Sequence, residues 1–281
     1  RMIEKYYNGV IEQVAGGIGN VEHNSILVRY SNDFSIWDLE SVNHYKDQTD
    51  IFFTCHEFSY NKIAEAYEPY LGLIRQMFHK YCSGTLEEFM EECDVYKLQR
   101  PVFESYFEKG FCERTEQILI DEVEYEQERM RNSIVTMLQK LSEIRPVVIV
   151  LNRFQLASKS TMQLSNSLLQ VKNKNIGIVL GVNDVQSIPE FAHEEWDAIC
   201  ESMDDRNMVY HIGNAGRNME PDVMDYYSDY ESDDGYRKLN NLVYFLDFDQ
   251  ADHHLSKIER RIKFDNFTIS EKKHYQLLLL Q

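Results

Sequence analysis

Asn152 and Arg153 are the residues whose position most favours chemistry. They follow Val147–Leu151, a short β-branched run that comes just after a proline and shows no apolar–polar alternation. Such a run predicts a strand that is buried on both faces of a parallel sheet. Because ligands of open α/β sheets bind at the carboxyl ends of the strands, we expect a site at these two residues.

The surrounding sequence predicts the sheet that positions them. A helical pattern with a broad apolar side, from Met162 to Leu169, leads to a second buried-strand pattern at Ile176–Gly181. Strand, helix and strand form a right-handed βαβ unit. Ser25–Tyr30 and Asp50–Cys55 are further predicted strands, and Met208–Ile212 is a candidate fifth strand. We therefore predict an α/β, three-layer domain with a mostly parallel central sheet.

Changes in composition predict three segments along the chain. Residues 1–214 form the α/β domain, and residues 215–235 form an acidic linker or surface loop rich in Tyr, Ser and Asp. Residues 236–281 are helical, with two short helices around Asp247–Asp249 and a third that starts at Thr268. Paired short helices are typical of the first units of a helical repeat array.

The predicted sheet has the layout of a P-loop nucleotide-binding domain, but the residues that handle the nucleotide are missing. Such a domain needs GxxxxGK[ST] after its first strand, where glycines admit the phosphates, Lys contacts them and Ser or Thr holds Mg²⁺. Tyr30–Trp37 contains neither Gly nor Lys, and Asp33 places a negative charge where phosphates would lie. Asn152 stands where a later strand carries the acid that holds Mg²⁺. Both halves of the catalytic apparatus are therefore absent.

Arg145–Leu169 resembles the Walker B strand and following helix of the STAND-type, AAA-related signalling ATPases. In that family the strand is followed by two Asp residues, a Leu-x-Trp-Ala-Asp-like stretch and a Ser-x-x-x-Leu helix. Leu151–Ser158 follows the same order of residues but lacks the acidic ones. Cys55–Glu57 followed by Ala66–Arg75 looks like the family's second strand and its Pro-Tyr-x-Pro-Phe helix entry. Ile178–Asn183 is similar to the next strand, whose end bears a polar sensor residue in the family.

The resemblance covers about residues 1–214, and residues 236–281 look similar to the start of the tetratricopeptide-like array that often follows such domains. It implies an ATP-controlled switch that couples a sensor array to an output domain. The lost Lys and acids predict instead a pseudo-ATPase that needs neither ATP nor Mg²⁺ as a cofactor. We expect a regulatory, scaffolding role in signal transduction through protein partners or self-association. The polar residues left to contact a nucleotide form a vestigial site: Ser31, Asn32, Ser35, Asn152, Arg153 and Asn183.

Two other functions stay open at this point. A divergent but active nucleotide hydrolase would recruit acids such as Asp33, Asp38 or Asp184. A small-molecule sensor would hold another ligand in the vacated nucleotide pocket. Binding and turnover of Mg-ATP distinguish the hydrolase from the scaffold, since a scaffold folds stably and does neither.

Charge and cysteine usage limit the partners and the compartment. The formal net charge is −18 and no basic patch stands out, so we expect neither nucleic acid nor an anionic membrane as a partner. No apolar stretch approaches the roughly 20 residues of a membrane span, and Arg1–Lys5 opens an amphipathic segment instead of a signal peptide. The five cysteines have irregular spacings and no CxxC, which predicts free thiols in a reducing cytoplasm.

The remaining motifs predict neither a metal site nor a nucleophilic pair. His193–Asp197 resembles the zinc motif HExxH but ends in Asp, which leaves a lone histidine on one helical turn. Asp252–His254 is expected to be a solvated polar face. Cys55 and His56 are neighbours on a predicted strand and point to opposite faces, so they are not expected to act together.

Overall fold

The computed structural model describes residues 2–31, 34–114, 120, 122–184, 188–205, 209–212 and 226–263. The strands are β1 (Asn24–Tyr30), β2 (Phe52–Glu57), β3 (Val147–Asn152), β4 (Ile176–Asn183) and β5 (Val209–Ile212). The helices are α1 (Met2–Gly17), α2 (Glu40–Lys46), α3 (Tyr70–Tyr81), α4 (Leu86–Glu92), α5 (Arg100–Lys109), α6 (Val123–Ile144), α7 (Lys159–Gln170), α8 (His193–Asp205), α9 (Tyr227–Tyr230), α10 (Asp233–Tyr244) and α11 (Phe248–Lys263).

The chain divides into two compact units, and each is assembled from separate segments. The sheet unit holds residues 1–59, 138–157 and 162–223, and the helical unit holds residues 60–137, 158–161 and 224–281. Residues 60–137 thus group with the C-terminal helices, whereas the domain predicted over residues 1–214 joins them to the sheet.

The sheet unit contains a five-stranded sheet with the order β2-β3-β4-β1-β5. Every pairing of neighbouring strands is parallel, which confirms the predicted α/β class and the fifth strand. In the register, Glu57 of β2 lies opposite Asn152 of β3, and Tyr30 of β1 lies opposite Asn183 of β4. The register therefore brings polar residues to the carboxyl ends of four neighbouring strands.

The apolar runs read from the sequence form the centre of this sheet. β3 and β4 are buried at every position, as expected for central strands covered on both faces. α1 packs on β1 and β4, and its buried residues Tyr7, Val10, Ile11 and Val14 recur at helical spacing. Tyr7 belongs to this apolar face, yet its hydroxyl reaches the polar end of the sheet.

The helical unit has an aromatic core. Phe78 contacts the rings of Phe89 and Phe107, and Phe103 contacts Phe245, all with ring centroids between 5.2 and 5.7 Å apart. Such edge-to-face and tilted pairs stabilise a core beyond the burial of their area. The helical unit is therefore held by a core of its own.

Glycine and proline residues mark the helix boundaries in this part of the chain. Gly84 separates α3 from α4, Pro101 opens α5, and Gly110 ends α5 with a left-handed φ of 80°. Residues 215–225 of the predicted acidic linker lie outside the described residues. The rest of it, residues 226–235, contains α9 and the start of α10. The third C-terminal helix, predicted from Thr268, also lies outside the described residues.

Candidate functional site

Asn152 is the centre of a polar network at the carboxyl end of the sheet. Its side chain is fully buried, and Asn152 is the last residue of β3. Its Oδ1 accepts a hydrogen bond of 2.7 Å from the Tyr30 hydroxyl and a long contact of 3.5 Å from the Tyr7 hydroxyl. Its Nδ2 donates to Glu57 Oε2 at 3.0 Å. Both ends of the amide are thus used inside the protein.

Glu57 supplies the charge of this network, and Arg153 neutralises it. Arg153 Nη1 lies 3.2 Å from Glu57 Oε1, and both side chains are largely buried, with 18% and 11% exposed. The Ile36 N–H donates to Glu57 Oε2 at 3.0 Å, beside the bond from Asn152. Arg153 has a left-handed φ of 55°, an uncommon conformation for a residue with a Cβ. We name Tyr7, Tyr30, Glu57, Asn152 and Arg153 the sheet-edge network.

The segment after β1 is anchored in the core. Phe34 and Ile36 are buried, and the Phe34 ring meets the edges of the Tyr7 and Tyr30 rings at 5.3 and 5.1 Å. A phosphate loop instead turns its backbone N–H groups towards the ligand, which requires small residues. The Ile36 N–H is already bonded to Glu57. Phe34 and Ile36 therefore serve packing within the sheet unit.

The predicted vestigial site is only partly assembled. Asn152 and Arg153 lie together in the sheet-edge network, whereas Asn183 ends β4 and its N–H donates to Gln155 Oε1 at 3.1 Å. Ser31 is half-buried, and Ser35 precedes a single helical turn without capping it through its side chain. Asn32 lies outside the described residues. Whether any of the six contacts a ligand stays a prediction.

Burial raises the pKa of two groups near Asn152, the Tyr7 hydroxyl and the Cys55 thiol. The pKa of Tyr7 is raised well above its ordinary value, chiefly by burial and next by the nearby Tyr30. Burial, with Glu57 second, raises the pKa of the Cys55 thiol to about 12. A thiol with this pKa stays protonated at neutral pH and is a poor nucleophile. That Cys55 and His56 do not act together stays a prediction.

Close packing leaves little space around the network. A Cβ added at Gly181 of β4 would lie 2.3 Å from the Tyr7 hydroxyl and 2.6 Å from Asn152 Oδ1. Both distances are far shorter than van der Waals contact, so only glycine fits here. The sequence gives no reason to single out this glycine, because its neighbours come from a helix and a different strand.

The described residues at the carboxyl end of the sheet do not fit Mg-ATP. The Asn152 oxygen accepts from Tyr30, and Glu57, the acid beside it, is paired with Arg153. Asp184, proposed for an unconventional hydrolase, forms a 2.8 Å ion pair with Arg29 on the surface. Asp33 lies outside the described residues. No carboxylate shown here is placed to hold a metal-bound phosphate, and we derive no catalytic step from this arrangement.

The other motifs noted in the sequence form no second centre. Among the residues that the structure describes, no group of three or more His, Cys, Asp or Glu side chains could hold a metal ion. His193 lies at the start of α8, where its Nε2 is 2.6 Å from the Ile188 carbonyl oxygen. His254 is buried and bonded to Tyr230, so it is not part of a solvated polar face.

Sequence reasoning missed three members of the sheet-edge network. Glu57 and Tyr30 end β2 and β1, so the rule that singled out Asn152 would have found them as well. Tyr7 had no such signal, because it lies on the apolar face of a helix 145 positions from Asn152. Its role depends on the way α1 packs on the sheet.

No family model matches the chain, and comparisons with curated proteins and with solved structures gave no match either. The fold and the contacts of the site therefore carry the functional argument. None of the described helices is both long and apolar enough to cross a membrane.

Proposed function

We propose that the chain is a non-catalytic regulatory module, a pseudo-ATPase that acts as a scaffold in signal transduction. The sheet-edge network carries this proposal. The position where a P-loop protein would hold Mg²⁺ and phosphate is used here for hydrogen bonds between three strands and a helix. Its chemistry is that of a structural polar cluster, because each shown donor and acceptor meets a partner within the protein.

The cost of opening this network supports the proposal. A nucleotide at this end of the sheet would have to separate Tyr30 from Asn152 and Glu57 from Arg153. Leaving one member of a buried ion pair without its partner costs about 3–5 kcal/mol. Tyr30–Trp37, which follow β1, contain neither Gly nor Lys to offset that cost with phosphate contacts.

Exposed apolar side chains support a role in protein contacts. Trp37 is 52% exposed although it directly follows the buried Ile36. Met2 and Tyr6 lie one turn apart on α1 and are 68% and 55% exposed. Trp and Tyr are enriched among the residues that carry most of the binding energy in protein interfaces. A partner protein or a second copy of the chain would bury these side chains.

Calorimetric titration with Mg-ATP and with Mg-ADP tests the proposal. We expect no binding heat and no shift of the thermal unfolding midpoint at millimolar nucleotide, because the sheet-edge network is closed. A folded, cooperative thermal transition is the control that the protein is intact. Micromolar binding of either nucleotide, or phosphate release above the buffer rate, would overturn the pseudo-ATPase proposal in favour of an active hydrolase.

A further inference from the structure

A cleft of about 340 Å³ lies within the helical unit, between residues 111–114 and the first part of α10. Its volume falls in the range of sites that take small molecules. Asp233, Tyr236, Arg237 and Asn240 line it from α10, and their spacing places them on one face of that helix. None of these residues belongs to the sheet-edge network, so the cleft is a separate feature.

Asn240 has a buried hydrogen-bond acceptor without a partner. The residue is 3% exposed, and its Nδ2 donates to the carbonyl oxygens of Cys112 at 2.7 Å and Arg114 at 3.1 Å. Because both contacted atoms are acceptors, the amide has one sensible orientation, and Oδ1 must point away from them. Oδ1 accepts no hydrogen bond from any described residue. A buried polar atom left in this state calls for a donor, and no described residue supplies one.

Asp233 and Arg237 present opposite charges to the cleft. They lie one turn apart on α10, yet they form no ion pair with each other or with another described residue. The guanidinium of Arg237 instead stacks over the Phe111 ring, 4.1 Å from its centroid. The equivalent pair one position further along α10, Asp234 and Lys238, does form an ion pair, at 3.4 Å. Glu113 and Arg114 also line the cleft, and Glu113 is paired with Lys109. Asp233 and Arg237 thus add an anion and a cation that lie one helical turn apart.

We propose that this cleft binds a small zwitterion, an aromatic amino acid. The ammonium group would donate to Asn240 Oδ1 and face Asp233, and the carboxylate would pair with Arg237. The apolar side chain would lie against the rings of Phe111 and Tyr236. This class of ligand matches the unused acceptor, the charges of both signs and the aromatic lining at the same time. The proposal stands apart from the pseudo-ATPase function, because it concerns other residues.

Three related probes separate the parts of this proposal. L-phenylalanine carries both charged groups, 3-phenylpropionate lacks the ammonium, and L-phenylalaninamide lacks the carboxylate. Titration followed by calorimetry should show binding of L-phenylalanine and at least about tenfold weaker binding of the other two, since each loses a charge-assisted hydrogen bond. No binding of L-phenylalanine at millimolar concentration would overturn the proposal. Equal binding of all three probes would overturn the zwitterion as its ligand class.

A pair of arginine variants locates the binding. Arg237→Gln removes the cation while the side chain remains on the surface, so the fold should persist. We expect L-phenylalanine to bind at least about tenfold more weakly to this variant. Arg129→Gln is the matched control, because Arg129 also stacks on aromatic rings, those of Tyr96 and Tyr125, but does not line the cleft. Equal weakening in both variants, or in neither, would place the binding elsewhere.

Discussion

The two units each bury a carboxylate in a polar network, and they hold its charge in different ways. In the sheet unit, Glu57 is paired with the guanidinium of Arg153. In the helical unit, Asp247 is bonded to backbone N–H groups at two helix starts, that of Ser160 at 2.8 Å and that of Gln250 at 3.2 Å. The first charge therefore has a counter-ion, whereas the second is held chiefly by the dipoles of helix N-termini.

The second network extends to a buried histidine. Asp247 directly precedes α11, and Gln250 of that helix approaches His254 Nε2 at 3.4 Å. The other ring nitrogen, Nδ1, lies 2.7 Å from the hydroxyl of the buried Tyr230. We name Ser160, Tyr230, Asp247, Gln250 and His254 the helix-start network.

Burial shifts the titration of the helix-start network. Desolvation raises the pKa of Asp247 above its ordinary value, although the bonds from Ser160 and Gln250 act in the opposite direction. Desolvation, followed by the charge of His253, lowers the pKa of His254 well below its ordinary 6.5. Burial thus disfavours the charged form of both Asp247 and His254. The comparison predicts that packing controls the sheet-edge network, whereas pH acts on the helix-start network.

Gly181→Ala, directly beside the sheet-edge network, should strongly destabilise the protein. The new methyl group would overlap the Tyr7 hydroxyl and Asn152 Oδ1, so we expect unfolding in urea to show a loss of about 3 kcal/mol. Gly9→Ala is the control, because a Cβ there meets nothing within 4 Å and Ala favours the interior of α1. That variant should gain about 0.5–1 kcal/mol. Similar effects of the two changes would argue against close packing at the sheet edge.

Tyr30→Phe should have a smaller effect. It removes the 2.7 Å bond to Asn152 Oδ1, which leaves that buried oxygen with only the 3.5 Å contact from Tyr7. We expect a loss of about 1–2 kcal/mol in the free energy of unfolding. Tyr7→Phe removes the long contact alone and should cost less than about 0.5 kcal/mol. A larger loss for Tyr7→Phe would show that the two hydroxyls have the opposite order of importance.

The pH dependence of stability should trace to the helix-start network. His254 has a folded pKa below its unfolded value, so the unfolded chain binds more protons as pH falls below about 6.5. Its contribution to stability is therefore present above pH 6.5 and is lost progressively as the pH falls below that value. His254→Gln should flatten the dependence by up to about 1.4 kcal/mol per pH unit. Parallel curves for the parent and the variant would remove His254 as the cause.

The sequence predicts the strands well and the sites only in part. β3 and β4 were predictable because burial on both faces requires a continuous apolar run. Asn152 was predictable because it directly follows such a run. The sheet-edge network also needs Tyr7, whose partner lies 145 positions away. Local patterns do not contain that information, since it depends on how α1 packs on the sheet. The same reason explains the grouping of residues 158–161 with the helical unit, which follows from the bonds of Ser160 to Tyr67 and Asp247.

Asn152→Asp tests most directly whether the sheet edge is a closed structural network. The substitution provides the acid that a nucleotide-binding strand would carry, but it also places a carboxylate where Nδ2 now donates to Glu57 at 3.0 Å. We expect the free energy of unfolding at pH 7 to fall by about 3 kcal/mol, with no Mg-ATP binding by calorimetry. A variant as stable as the parent that binds Mg-ATP in the micromolar range would contradict the account.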